Sequence, residues 1–322
     1  MKIVLLDGSF ANQVTQYIFA RCLEEELKDT DEEVYLDDLW YYTQHITAYK
    51  KVEHIEKHHY QLDKFPNLKK VKLMSEYFEP EVWKHIISVA NAKGPVQAGS
   101  HLPQILKDNG LDFFMIAEPK IYKFDGMVAH MPYYHYIPEM LTTQGNVYYF
   151  GWFTHGGWFK RHEKMFLKEL SLPSLESEAD RVMLQQIEES LSISVHIRRG
   201  FYALAGGTTD TAYFKNALQH VCLKVNKENL GKGKKPCIFV FSDEINWVKE
   251  HAQEYGLNDV PFPVVYGRDD RTGLDNHCDL QLMSHCDIMI LELKSVYSYL
   301  AALLNTKQDK IVINPNKGRG VF

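Results

Sequence analysis

The chain has 322 residues, 45% apolar and 13% aromatic, which excludes a disordered chain and is enough to bury a core in each of two domains. Its 42 acidic and 36 basic side chains leave a net charge of −6, which excludes a protein whose main task is to grip nucleic acid. No run of about 18 apolar residues occurs, so no transmembrane helix is predicted. Met1 to Leu6 reaches Asp7 too soon for a signal peptide and reads as a buried first strand. Five cysteines at scattered spacings (Cys22, Cys222, Cys237, Cys278, Cys286) fit reduced thiols in a cytoplasm better than a disulfide framework.

After that strand, Asp7-Gly8-Ser9 is a turn signal, and Val14, Ile18, Cys22 and Leu23 recur at helical spacing, which predicts a helix over 12–27. Glu33 to Leu36 completes a βαβ unit. Residues 40–145, rich in Tyr and His at 53–60 and 133–136, read as short helices and long loops. Asn146 to Phe153 predicts a strand ending at a Gly/Trp turn, followed by a helix to about Leu170. Leu172-Pro173-Ser174 reads as a linker, which divides the chain into domains 1–172 and 173–322. The second half alternates: helix 176–191, strand 192–197, helix 211–225, a lysine-rich loop, strand 237–241, helix 245–255, strand 262–266, helix 278–285, strand 288–291, helix 296–304 and strand 310–313. This is the pattern of a doubly wound α/β sheet.

Ligands of such sheets sit beyond the carboxyl ends of the strands, so the residues just past each strand are the candidates. His196-Ile197-Arg198-Arg199-Gly200 places two arginines at one strand end, where a planar guanidinium fork matches the oxygens of a diphosphate. The competing reading is a pair of surface salt bridges. Ser242-Asp243-Glu244 ends a second strand in acid. A carboxylate there suits a guanine edge or a sugar hydroxyl, and equally suits the N-cap of the next helix. Gly8 to Gln13 precedes a helix whose free N–H groups could face an anion. A dinucleotide fingerprint needs three glycines and only Gly8 is present, which counts against an NAD-dependent oxidoreductase. His277-Cys278 and His285-Cys286 lie about two helical turns apart, too far for joint chelation, so no metal is expected. Asp29-Thr30-Asp31 lies at a charged helix end rather than after a strand and is discarded as a metal motif.

Six segments in order resemble glycosyltransferase family 11, the bacterial α-1,2-fucosyltransferases. Gly8-Ser9-Phe10-Ala11-Asn12-Gln13-Val14-Thr15-Gln16-Tyr17 is similar to the family's Gly-Gly-Leu-Gly-Asn-Gln opening, and Phe19-Ala20-Arg21 comes next. Tyr149-Phe150-Gly151-Trp152-Phe153, Ser194 to Gly200, Phe241-Ser242-Asp243 with Trp247, Asp279 to Cys286, and Ser298 to Asn305 resemble the later motifs. The resemblance implies a GT-B-like architecture, two facing Rossmann-like domains with a cleft between them. The N-terminal domain would take the acceptor and the C-terminal domain GDP-fucose. It implies an inverting, metal-independent transfer, without a cofactor, to the 2-hydroxyl of a galactose-terminated glycan. The setting would be a bacterial cytoplasm, with at most peripheral contact at the inner membrane. Arg198, His196 and Asn12 are then the catalytic candidates, and Arg198, Arg199, Ser242, Asp243, Ser295, Ser298, Gln13 and Gly8 the donor-binding ones.

Three departures stand out. Phe201 replaces the Asp that usually comes after the family's arginine motif, the opening loop lacks two glycines, and Lys294 to Leu300 lacks the late Asn and both Trp. They leave open a GDP-sugar-binding protein with weakened catalysis, or a transferase with a changed donor or acceptor.

Overall fold

The computed structural model describes residues 1–43, 59–94, 99–111, 114–117, 122–124, 127–129, 136–204, 207–228, 230–231, 233–271, 275–293 and 295–314. The His- and Tyr-rich stretches at 53–58 and 133–135 lie outside the described residues, as do Lys294 and the side chain of Phe201. The chain divides into two units, Met1–Ser171 and one that begins at Leu172.

The first unit carries β1 (Lys2–Leu5), β2 (Val34–Asp37), β3 (Lys72–Leu73), β4 (Phe114–Ala117), the antiparallel hairpin β5 (Tyr122–Phe124) and β6 (Met127–Ala129), and β7 (Val147–Phe150). Its five-stranded sheet runs β3-β2-β1-β7-β4 with every pairing parallel. The helix Phe10–Glu26 connects β1 to β2, as the apolar spacing predicts. Four strands, β3 to β6, are additions in the region read as loops, and two of them, β3 and β4, join the sheet. β3 has two residues and β4 four, too few to show a period, and each is drawn into the sheet by the strand it pairs with. The helix expected up to Leu170 is broken into Gly156–Arg161 and Glu163–Glu169.

The second unit carries β8 (Leu191–Ile197), β9 (Pro236–Ser242), β10 (Val264–Tyr266), β11 (Ile288–Ile290) and β12 (Ile311–Ile313). Its order, β10-β9-β8-β11-β12, is wholly parallel and is that of a Rossmann-like sheet, so the mixed α/β class read from the alternation is the one observed. All seven residues of β8 are buried, as a central parallel strand covered on both faces requires. Ile193, Val195 and Ile197 enter the core, where Phe214, Leu218, Val221 and Val225 of the helix Thr211–Glu228 meet them along one apolar stripe. Each such side chain contributes about 1.5–3 kcal/mol on burial. Strand alternation sends Ser194 and His196 to the opposite face.

The order reverses between β8 and β11 in this sheet and between β1 and β7 in the other. These switch points open a crevice at the strand ends, and they fall beside Arg198 and beside Gly8. No described helix is long and apolar enough to cross a membrane.

Candidate functional site

The register of the second sheet assembles the site. His196 lies opposite Phe241, Ile197 opposite Ser242, and Val195 opposite Ile290, so three neighbouring strands release Arg198, Asp243 and Glu292 side by side. Arg198 Nη1 stands 2.8 Å from Asp243 Oδ2, and the Arg198 backbone N–H donates to Glu292 Oε2 at 3.1 Å. Asp243 Oδ1 accepts the Arg199 N–H at 2.8 Å. The second Glu292 oxygen accepts the Thr209 hydroxyl, and Ser298 Oγ accepts the Glu292 N–H at 3.1 Å. Gly200 begins the short helix Gly200–Leu204 at a φ of +24°, and a Cβ there would overlap Asp243 Oδ2. Only glycine lets that carboxylate close on the arginine pair.

The two arginines take opposite roles. Arg199 is locked within its own unit. Its Nε donates to Glu244 at 2.9 Å, its Nη1 to the Tyr255 hydroxyl at 3.3 Å, and its guanidinium lies 3.0 Å over the Trp247 ring. Arg199, expected at the donor, has its charge and its fork engaged in stacking and ion pairing. Arg198 keeps 35% of its side chain exposed, and Asp243 is its one ion partner among the described residues. A guanidinium carries five N–H donors, and among the described residues only Nη1 of Arg198 has an ion partner.

His196, expected to be catalytic, is 4% exposed and packs its ring 5.4 Å from that of Tyr297. Its Nδ1 has no partner among the described residues. Burial first, and the charge of Arg198 second, push its pKa down to about 3 from an ordinary 6.5. It is a buried ring held neutral and packed on Tyr297.

This shift makes stability depend on pH. The unfolded chain takes up the His196 proton first as pH falls, so stability is lost below about pH 6.5, by roughly 2 kcal/mol at pH 5. Asp37 and Asp279, both pushed up to about 6 chiefly by burial, act in the opposite sense, since the folded state protonates them first. The difference between proteins is therefore the readout. Between pH 6.5 and pH 5, wild type is expected to lose about 2 kcal/mol more than His196→Asn in denaturant titrations. Parallel pH curves would show that the ring is not held neutral.

The serines serve as turn and cap groups. Ser242 Oγ accepts the Glu244 N–H at 3.1 Å, a turn contact, while the N-cap of the helix Ile245–Glu250 is Glu244, with no side-chain cap. Ser295 Oγ accepts the Tyr297 N–H at 3.1 Å and caps the helix Val296–Leu304. Ser298, expected at the donor, is fully buried, and its Oγ accepts the Glu292 N–H.

In the first unit, Gly8 has a φ of +77°, and a Cβ on it would stand 2.5 Å from Asn12 Nδ2. The turn therefore needs glycine, and Asn12 sits half-buried beside it. Gln13 is fully buried. Its amide, expected at the donor, donates to the carbonyls of His59 at 2.7 Å and Gly8 at 3.3 Å and accepts the Gln61 N–H at 2.8 Å, which ties the loop. Asp7 holds the same loop: Oδ1 accepts from Gln16 and Trp152, both at 2.9 Å, and Oδ2 accepts the Gly99 N–H at 3.0 Å.

Three participants escaped the sequence reading. Thr209 and Tyr255 carry no motif, and nothing local marks them. Asp180, 2% exposed, receives Arg271 at 2.7 Å and Arg268 at 3.4 Å, and Arg271 also pairs with Asp279 at 2.6 Å. That network joins the helix Glu178–Glu189 to the helix Asn276–Ser284. Among the described residues, no group of three or more His, Cys, Asp or Glu is placed to hold a metal ion.

Two parallel-sheet units with an open arginine at the switch point of one define an α/β protein of the nucleotide-fold class. The chain belongs to glycosyl transferase family 11, whose family model matches residues 143–320. The opening segment at Gly8 lies outside that span. The O-antigen biosynthesis glycosyltransferase WbnK of Escherichia coli is 31% identical over 136 residues, which is 40% of this chain and 40% of the length of that relative. Solved structures to which the chain is similar include POFUT1 in complex with GDP-fucose (12% identity, TM-score 0.45, 97% of each chain covered). Another is the fucosyltransferase NodZ from Bradyrhizobium (14% identity, TM-score 0.41, 98% of this chain and 96% of that one).

Proposed function

We propose that the protein transfers fucose from GDP-fucose to the 2-hydroxyl of a galactose-terminated glycan, with inversion and without a metal. The observation that carries this reading is the open Arg198 guanidinium at the β8/β11 switch point, beside an Arg199 that is fully engaged. As the bond from the anomeric carbon to the diphosphate oxygen breaks, charge gathers on the leaving GDP. A fixed guanidinium stabilises that charge more in the transition state than in the ground state. The acceptor hydroxyl attacks the opposite face of the sugar and gives up its proton to a base. In this reading the second unit takes the donor, and the first unit, with Asn12 at its Gly8 turn, takes the acceptor. WbnK is named for O-antigen biosynthesis, which agrees with a glycan acceptor. The reaction is placed in a bacterial cytoplasm, with at most peripheral membrane contact.

The test is incubation with GDP-fucose and a panel of galactosides in the presence of EDTA. GDP release with a fucosylated product is expected, and no turnover on any galactoside would overturn the reading. A rise in melting temperature with GDP but no product would instead support a binding protein that does not catalyse.

A further inference from the structure

We infer that Asp243 is a positioning residue: it touches no part of the nucleotide and acts by holding the Arg198 guanidinium toward the diphosphate. This rests on the proposed reading of Arg198 and assigns the acid beside it. A carboxylate at the end of β9 has two available roles. It could receive hydrogen bonds from a guanine edge or a ribose hydroxyl, or it could brace the arginine of the neighbouring strand.

The geometry favours the brace. Both Asp243 oxygens already have partners on the arginine segment, Oδ1 on the Arg199 N–H and Oδ2 on Arg198 Nη1, each at 2.8 Å. The side chain is 23% exposed, less than the arginine it holds. Gly200 is the third part of the device, because any side chain there would drive the carboxylate out. Glu292 fixes the Arg198 backbone from the other flanking strand. Arg198 is thus held at its main chain by β11 and at its guanidinium by β9. A long flexible side chain loses about 2 kcal/mol of rotamer freedom when it is immobilised. Paying that cost within the folded protein leaves less to lose when the ligand arrives.

The experiment compares GDP with guanosine as ligands for wild type, Arg198→Ala and Asp243→Asn, by calorimetry or ligand-observed NMR. The asparagine keeps the size of the side chain but offers one acceptor oxygen instead of two and no charge. Asp243→Asn is expected to weaken GDP at least tenfold, to leave guanosine within twofold of wild type, and to keep the melting temperature. Arg198→Ala is expected to show the same selectivity with a larger loss. Equal losses for GDP and guanosine in Asp243→Asn would show a nucleoside contact or a damaged fold and would overturn the inference. So would GDP binding as tight as wild type. If wild type itself binds GDP no more tightly than guanosine, the diphosphate reading of Arg198 fails, and the positioning role fails with it.

Discussion

Arg198→Ala is expected to weaken GDP binding about a hundredfold and to bring transfer below detection. Hydrogen bonds between a guanidinium and phosphate oxygens are charge-assisted and contribute roughly 1.5–3 kcal/mol each. A fork making two of them therefore accounts for about 3 kcal/mol or more of affinity, and about 3 kcal/mol is a factor of roughly a hundred. The rate should suffer further, since removing a donor that meets developing charge typically costs about 10²–10³ in turnover. Arg198→Lys keeps the charge but loses the fork, and an intermediate loss is expected. Arg199→Ala is the informative neighbour. Its guanidinium is committed to Glu244, Tyr255 and Trp247, so its main effect should be on stability. Steady-state kinetics and GDP titration of the three variants decide the matter. Wild-type kinetics in Arg198→Ala would remove the arginine from the chemistry.

Arg21→Ala is expected to destabilise the first unit by about 3–5 kcal/mol, a large fraction of the stability of a typical domain. Arg21 is 2% exposed and holds both oxygens of Glu169, through Nε at 3.1 Å and Nη2 at 2.9 Å. Glu169 Oε2 also accepts the Tyr17 hydroxyl at 2.7 Å. Arg21 further meets Glu24 at 2.6 Å and Glu25 at 3.0 Å on its own helix. Removing it leaves a buried carboxylate without its counter-charge, and the desolvation of Glu169 then has nothing to offset it. The double replacement Arg21→Met with Glu169→Leu removes both charges at similar volume and should cost much less. Denaturant titration of the single and double variants separates the two effects. A loss under about 1 kcal/mol in Arg21→Ala would mean that the pair is solvated in solution.

Much of the second unit could be read from the chain because its signals are local. The apolar runs of β8 and β9 are long enough to declare buried strands, and the stripe from Phe214 to Val225 declares the helix between them. The site was legible to the extent that it lies directly after those strands, since Arg198 and Asp243 each stand within two residues of the end of an apolar run. The first unit was harder. β3 and β4 are short edge strands whose residues carry no period, and they become strands only because β2 and β7 offer them a hydrogen-bonding edge. Resemblance over the opening segment marked Gln13 as a ligand, yet its amide is turned inward onto Gly8, His59 and Gln61. A motif names the residue but not the direction of its side chain.

The sequence by itself determined the α/β class, the alternation in the second half, the family resemblance and the placement of an Arg-Arg pair at a strand end. All of these are written within short windows of chain. Only the tertiary structure decided which of the two arginines stays the more exposed, with Asp243 as its ion partner. Side chains at adjacent positions leave a strand end in different directions, and their partners come from other strands and helices. Asp243, Glu244, Trp247, Tyr255 and Glu292 are distant along the chain and converge on Arg198 and Arg199 only when β9 and β11 pair on either side of β8. Parallel pairing is non-local, so the register that sets one guanidinium against Trp247 and leaves the other at the crevice exists only in the assembled sheet.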